Sequence, residues 1–282
     1  MPQTIYVSPR AVGAPDNPPP AIETFDLARL YDRRPAIAGV SLRVERGAVV
    51  ALLGSNGAGK TTLLRLLSTT IRPSFGQARI DGLDVERWPE LVRARIGYLS
   101  HATGLYDDLT AAENLHFAAT LMGLERRDAA ERVPRALASV ELGADADRRV
   151  RDLSAGMRRR VALARLLLGA PSVLLLDEPF ESLDDAGMRL TGELLHAWRA
   201  AGVTCLVATH LAERLLPQAD GSVRLEAGVV TRIEGRGVAL TDAPLDQPTD
   251  APNDAPNDAP GEKPRGRLTD RRPAAAPLEA SR

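Results

Sequence analysis

The chain has 282 residues, 44% of them hydrophobic, enough for one large domain or two small ones with an ordinary buried core. A formal net charge of -1 gives no global attraction to nucleic acid, 4% aromatic content argues against a base-stacking surface, and no apolar run approaches the roughly 20 residues that cross a bilayer. The single cysteine, Cys205, excludes an internal disulfide.

Six prolines fall within the first twenty positions, so residues 1–21 read as a disordered leader. This start lacks a basic segment followed by an apolar run, so no signal peptide is expected and the default location is cytoplasmic. From Ile22 to Val50 short alternating segments such as Val40 to Val44 predict strands, which lead into the apolar strand Ala48 to Leu53. Next come Gly54, Ser55, Asn56, Gly57, Ala58, Gly59, Lys60 and Thr61, the G-x-x-x-x-G-K-[ST] phosphate-loop pattern, and the run from Thr62 to Leu67 reads as a helix. That order supplies what the motif needs: glycines let the backbone curl with its N–H groups inward, and the positive end of the helix dipole faces the same point. Lys60 is positioned by this pattern for the β- and γ-phosphates, and the Thr61 hydroxyl for Mg²⁺.

Gly76 to Gly82 predicts one more strand and a turn, pairing with the early strands. From about residue 84 to 170 the pattern is helical, with apolar residues three and four apart in Ala111 to Met122, Asp128 to Leu142 and Ser154 to Leu168. Ser172 to Leu176 is a continuous apolar strand of the kind buried on both faces of a parallel sheet. Asp177 and Glu178 follow it, at the carboxyl end of a strand, where open α/β folds bind ligands. Asp177 suits Mg²⁺ as a hard oxygen donor, and Glu178 suits the polarisation of an attacking water. Helix Met188 to Ala200, strand Val203 to Ala208 with Cys205 in the core, and a hairpin from Ser222 to Ile233 complete an α/β arrangement. From about 236 the chain becomes a Pro/Asp/Ala-rich tail, acidic from Asp242 to Glu262 and basic from Lys263 to Arg272, and is expected to be disordered.

Over residues 22–235 the ordered set of motifs resembles the nucleotide-binding subunit of ATP-binding-cassette (ABC) transporters. Gly54 to Thr61 resembles the Walker A loop, Leu153 to Met157 the family signature, Val173 to Glu178 the Walker B strand with its glutamate, Ser182 to Asp184 the D-loop, and His210 the switch histidine. Tyr31, 29 residues before Lys60, stands where the family places an aromatic on adenine. The resemblance implies an α/β P-loop NTPase cassette with a parallel core sheet, a small antiparallel β subdomain and a helical insert. It implies an ATPase coupled to transport, with ATP and Mg²⁺ as ligands. Glu178, His210 and Lys60 would be catalytic, and Thr61 and Asp177 would hold the metal. Nucleotide contacts would come from Tyr31, residues 54–61, Thr62, His101 and Asp184, and from Ser154 and Gly156 of a second copy. Implied partners are that copy, in a head-to-tail dimer, and integral membrane permease subunits, with no nucleic acid. The subunit would lie peripherally on the cytoplasmic face of the inner membrane.

Two departures matter. The signature has Ala155 and Met157 where Leu-Ser-Gly-Gly-Gln is usual, and Ile96 to Ser100 ends in His101 where the family has a glutamine. Neutral imidazole is a poor Mg²⁺ ligand, which argues against direct coordination by His101. Together with residues 54–67, Leu109 to Phe117 and Leu176 to Phe180, these departures resemble the haem-exporter branch of cytochrome c maturation. Another small exporter, for a drug, lipid or polysaccharide, is the alternative. A soluble translation or repair ATPase fits less well, since the chain has one cassette and no sustained heptads. A module that binds ATP without hydrolysing it is disfavoured by Glu178.

Overall fold

The computed structural model describes residues 18–241; the expected leader up to residue 17 and the expected tail from residue 242 lie outside the described residues. All described residues fall within one compact unit, Met1–Pro248.

β1 (Ile22–Tyr31) and β2 (Arg34–Val44) form an antiparallel hairpin. The two residues between them, Asp32 and Arg33, both have positive φ, at 46° and 69°, the mirror-image turn that matches strand twist. β3 (Val49–Leu53) ends at the phosphate loop and α1 (Lys60–Leu67) leaves it. β4 (Phe75–Ile80), β5 (Leu83–Asp84), α2 (Pro89–Arg95) and β6 (Ile96–Leu99) follow. Three helices come next, α3 (Ala111–Leu121), α4 (Arg126–Ser139) and α5 (Ala155–Leu166). The chain then runs through β7 (Val173–Asp177), α6 (Asp185–Ala200), β8 (Thr204–Ala208), α7 (Ala212–Leu215), β9 (Gly221–Glu226), β10 (Val229–Gly235) and β11 (Val238–Ala239).

The strands make two sheets: an antiparallel one in the order β11-β2-β1-β4-β5 and a mainly parallel one in the order β10-β9-β3-β8-β7-β6. Every residue of β3, β7 and β8 is buried, which is why these strands read as unbroken apolar runs. Alternation along β3 divides the core in two. Val49, Ala51 and Leu53 face the side packed by α3, α4, α5 and α6, while Val50 and Leu52 face α1 and the antiparallel sheet. Trp198 of α6 fills the first core, and its relative exposure of 1% marks it as an anchor of that side. α3 starts at a capping box, in which Thr110 Oγ1 accepts from Glu113 N and Glu113 Oε2 accepts from Thr110 N.

The structure differs from expectation in several places, one of them the end of the expected leader, where Ala21 is buried and its N–H donates to Val44 O at 2.9 Å. The stretch 84–170, expected to be helical, also holds β6, a sheet strand parallel to β7, where a Cβ on Gly97 would stand 2.5 Å from Leu174 Cδ2. Four residues are too few for a period to register. β11 lies beyond the expected boundary at residue 235 and pairs Val238 with Val44. Cys205 is fully buried in β8, and burial pushes its thiol up to about 12.

Candidate functional site

The site begins where β3 releases the chain. Gly54 has φ 153°, and a Cβ there would stand 2.4 Å from the carbonyl oxygen of Leu225, so the close pass of loop and β9 requires glycine. Across the loop, Ala58 N donates to Ser55 O at 3.1 Å, and Gly228 N, in the β9–β10 turn, donates to Ala58 O at 3.0 Å. The hairpin thus buttresses the loop from behind. α1 begins at Gly59 with no side-chain cap and no acidic residue in its first turn, which leaves its leading N–H groups for a ligand.

Lys60 is 7% exposed, and its Nζ donates to Gly54 O at 2.7 Å and Ser55 O at 3.2 Å. Thr61 Oγ1 donates to Asp177 Oδ2 at 2.8 Å, joining the phosphate loop to the end of β7. Burial pushes the Asp177 carboxyl above its ordinary range; the Thr61 bond opposes this, and Glu178 adds to it. His101 and Arg159 favour the charged form.

Glu178 is held in the left-handed region at φ 50°, costly for a residue with a Cβ and maintained by partners on several sides. Its N–H donates to Ala208 O at 2.8 Å, and its Oε2 accepts from His210 N at 3.2 Å and pairs with His210 Nδ1 at 2.9 Å. A cleft of about 670 Å³ is lined by residues 55–62, His101, Asp177, Glu178 and His210, together with Ala36 and Glu181. Ala36 and Glu181 carry no motif in the sequence. His101 Nδ1 lies 2.9 Å from Glu181 Oε2, so the imidazole already has a carboxylate partner at the cleft wall.

Five expected site residues do not line this cleft. Tyr31, 42% exposed at the end of β1, has the Arg29 guanidinium 4.9 Å over its ring. Ser154 is exposed and caps α5, its Oγ accepting from Met157 N at 3.1 Å. A Cβ on Gly156 would lie 2.9 Å from Ser182 O, which places the start of α5 against the loop leading to Asp184. Asp184 in turn caps α6, with Oδ1 accepting from Gly187 N at 2.8 Å. Gly54 is also absent from the lining, but its carbonyl holds Lys60.

A family model described as ABC transporter matches residues 37–181. The ABC transporter ATP-binding protein NatA of Bacillus subtilis (strain 168) is 37% identical over 196 residues, covering 69% of this chain and 80% of that protein. The cytochrome c biogenesis ATP-binding export protein CcmA of Xanthomonas axonopodis pv. citri (strain 306) is 40% identical over 209 residues, covering 74% of this chain and 95% of that protein. A solved structure of an ATP-binding subunit of an ABC transporter superposes with a TM-score of 0.71 at 29% identity, over 76% of this chain and 90% of that one.

Proposed function

The chain belongs to the ABC transporter family of ATP-binding cassettes, ATPases that drive transport, and from that premise we propose that it is the ATP-hydrolysing subunit of an exporter, acting as a head-to-tail pair under membrane permeases. The observation that carries the proposal is the convergence, in one cleft, of Lys60 and the Thr61–Asp177 bond with the Glu178–His210 pair. The α1 N–H groups and Lys60 suit the β- and γ-phosphates, because both present positive charge to the same point of the cleft. Glu178 suits the role of general base toward the attacking water, with His210 orienting its carboxylate.

Thr61 and Asp177 would hold Mg²⁺. Among the described residues there is no cluster of three or more metal-ligating side chains, but this ion needs only one or two protein oxygens when phosphates and water complete its shell. When bound, it would neutralise phosphate charge. Ordinary Mg²⁺ chemistry does not call on His101, which is engaged with Glu181.

Support for the pair of copies comes from α5. Its N-terminus is exposed, lacks acidic residues in its first turn and stands apart from the chain's own cleft, so it is free to meet phosphate held by another copy. Ser154→Arg is therefore expected to leave ATP binding by the monomer within about 3-fold and to abolish turnover, since the bulk sits only at the joined surface; this is about as tolerant as surface changes usually are. Equilibrium ATP binding and phosphate release on one preparation check it, and a variant with normal turnover contradicts the shared site.

Support for a membrane partner comes from an apolar groove of about 260 Å³ beside α3, lined by Leu105, Tyr106, Phe117, Leu121 and Met122 among others. Leu121 is 73% exposed, and the Tyr106 and Phe117 rings meet edge-on at 5.1 Å. No helix among the described residues is long and apolar enough to cross a membrane. Attachment through permease subunits, on the cytoplasmic face of the inner membrane, follows from this reading.

Haem export in cytochrome c maturation is the cargo we propose, on the strength of His101, Ala155 and the likeness to the Xanthomonas protein. A deletion strain should then lose covalent haem from c-type cytochromes and keep b-type cytochromes, which bind haem non-covalently. Haem staining of denatured membrane proteins reads this directly. Normal staining would move the chain to another small exporter, which the comparable likeness to NatA favours as the second reading.

A further inference from the structure

Arginines 158, 159 and 160 stand side by side in the sequence, but only Arg159 turns inward from α5, with 3% of its surface exposed. Among the described residues its guanidinium bonds carbonyl oxygens and no carboxylate. Nη1 donates to Ser100 O at 2.9 Å and His101 O at 3.2 Å; Nη2 donates to Asp177 O and to Glu178 O, the latter at 2.6 Å. One planar fork therefore ties the segment after β6 to the end of β7, from the same N-terminal half of α5 that carries Ser154 and Gly156.

We propose that Arg159 is a positioning residue for hydrolysis: by holding the main chain of Asp177 and Glu178 against Ser100 and His101, it sets the place of the Glu178 carboxylate in the cleft. The inference rests on the reading of Glu178 as general base. Residue 178 is clamped three ways, at its N–H by Ala208 O, at its side chain by His210 and at its carbonyl by Arg159. That clamping is what a left-handed glutamate requires in order to persist. Burial pushes the Arg159 guanidinium below its ordinary range, and the nearby charges of Glu181, Asp177 and Glu178 oppose that push. Lysine cannot replace the fork, because a single ammonium nitrogen at the end of a flexible stem cannot serve two carbonyl pairs as two rigidly spaced nitrogens do.

The test is a double-mutant cycle on the full chain: wild type, Arg159→Lys, Glu178→Gln and both together. Melting temperature, equilibrium ATP binding and single-turnover hydrolysis of labelled ATP are measured on each. Arg159→Lys should bind ATP within about 3-fold of wild type and lose about 100-fold in hydrolysis rate, the order of loss that a misplacement of about 1 Å brings. In the Glu178→Gln background the same change should cost less than about 3-fold, because groups that act as a unit are not additive. Equal losses in both backgrounds, or full hydrolysis by Arg159→Lys, would overturn the proposal. Arg159→Gln, whose amide can reach one loop only, should repeat the pattern and decides the matter should the lysine variant not fold. The single Glu178→Gln variant reports separately on the general base: if it hydrolyses ATP normally, that reading fails first, whereas an inactive Glu178→Gln with additive Arg159 losses sinks the positioning role alone.

Discussion

Glu178→Gln should retain ATP binding and lose turnover by about 10²- to 10⁴-fold, the usual contribution of a general base. The amide keeps the shape of the carboxylate, and its oxygen can still accept from His210 N, which now lies 3.2 Å from Glu178 Oε2. It cannot take a proton from water. By the relation of about 1.4 kcal/mol per decade, this amounts to about 3 to 5.5 kcal/mol of lost transition-state stabilisation. Phosphate release, with bound nucleotide counted in parallel, checks both halves, and near-normal turnover would remove Glu178 from the reaction.

Lys60→Ala should act a step earlier. Lys60 is anchored by Gly54 O and Ser55 O, so its charge is pre-placed at the mouth of α1 and pays little ordering entropy when a triphosphate arrives. Removing one hydrogen bond to a charged group costs about 1.5 to 3 kcal/mol, which corresponds to ATP binding roughly 10- to 150-fold weaker. Titration with ATP under equilibrium conditions measures it. Binding as tight as in wild type would contradict the assignment of residues 54–61 as the phosphate seat.

Much of this site was legible before any coordinates, because phosphate loops and buried parallel strands impose strong local patterns. Glycine is demanded at Gly54 by the carbonyl of Leu225, and the all-buried β7 announces itself as Val173 to Leu176. Glu181 and Arg159 were not legible. Glu181 sits in a loop, where no period fixes direction, and its meeting with His101 joins segments 80 positions apart. Arg159 is hidden among like residues. Successive side chains on a helix are separated by about 100°, so Arg158 reaches back to Leu153 O, Arg160 reaches Val140 O and Arg159 alone enters the core. Tyr31 shows a different limit: its distance in sequence from Lys60 matches the family, yet in the single chain it lies off the cleft beside Arg29.

The central claim is that one chain holds only half of each working site, with Ser154 and Gly156 standing outside the cleft they are to complete. Sedimentation velocity of the Glu178→Gln variant, without ATP and with saturating ATP, tests it most directly, because slow hydrolysis preserves the closed state. The expected result is a monomer without ATP, a particle of twice the mass with ATP, and a return to monomer when Ser154→Arg is added. A Glu178→Gln variant that stays monomeric with ATP bound would contradict the shared site.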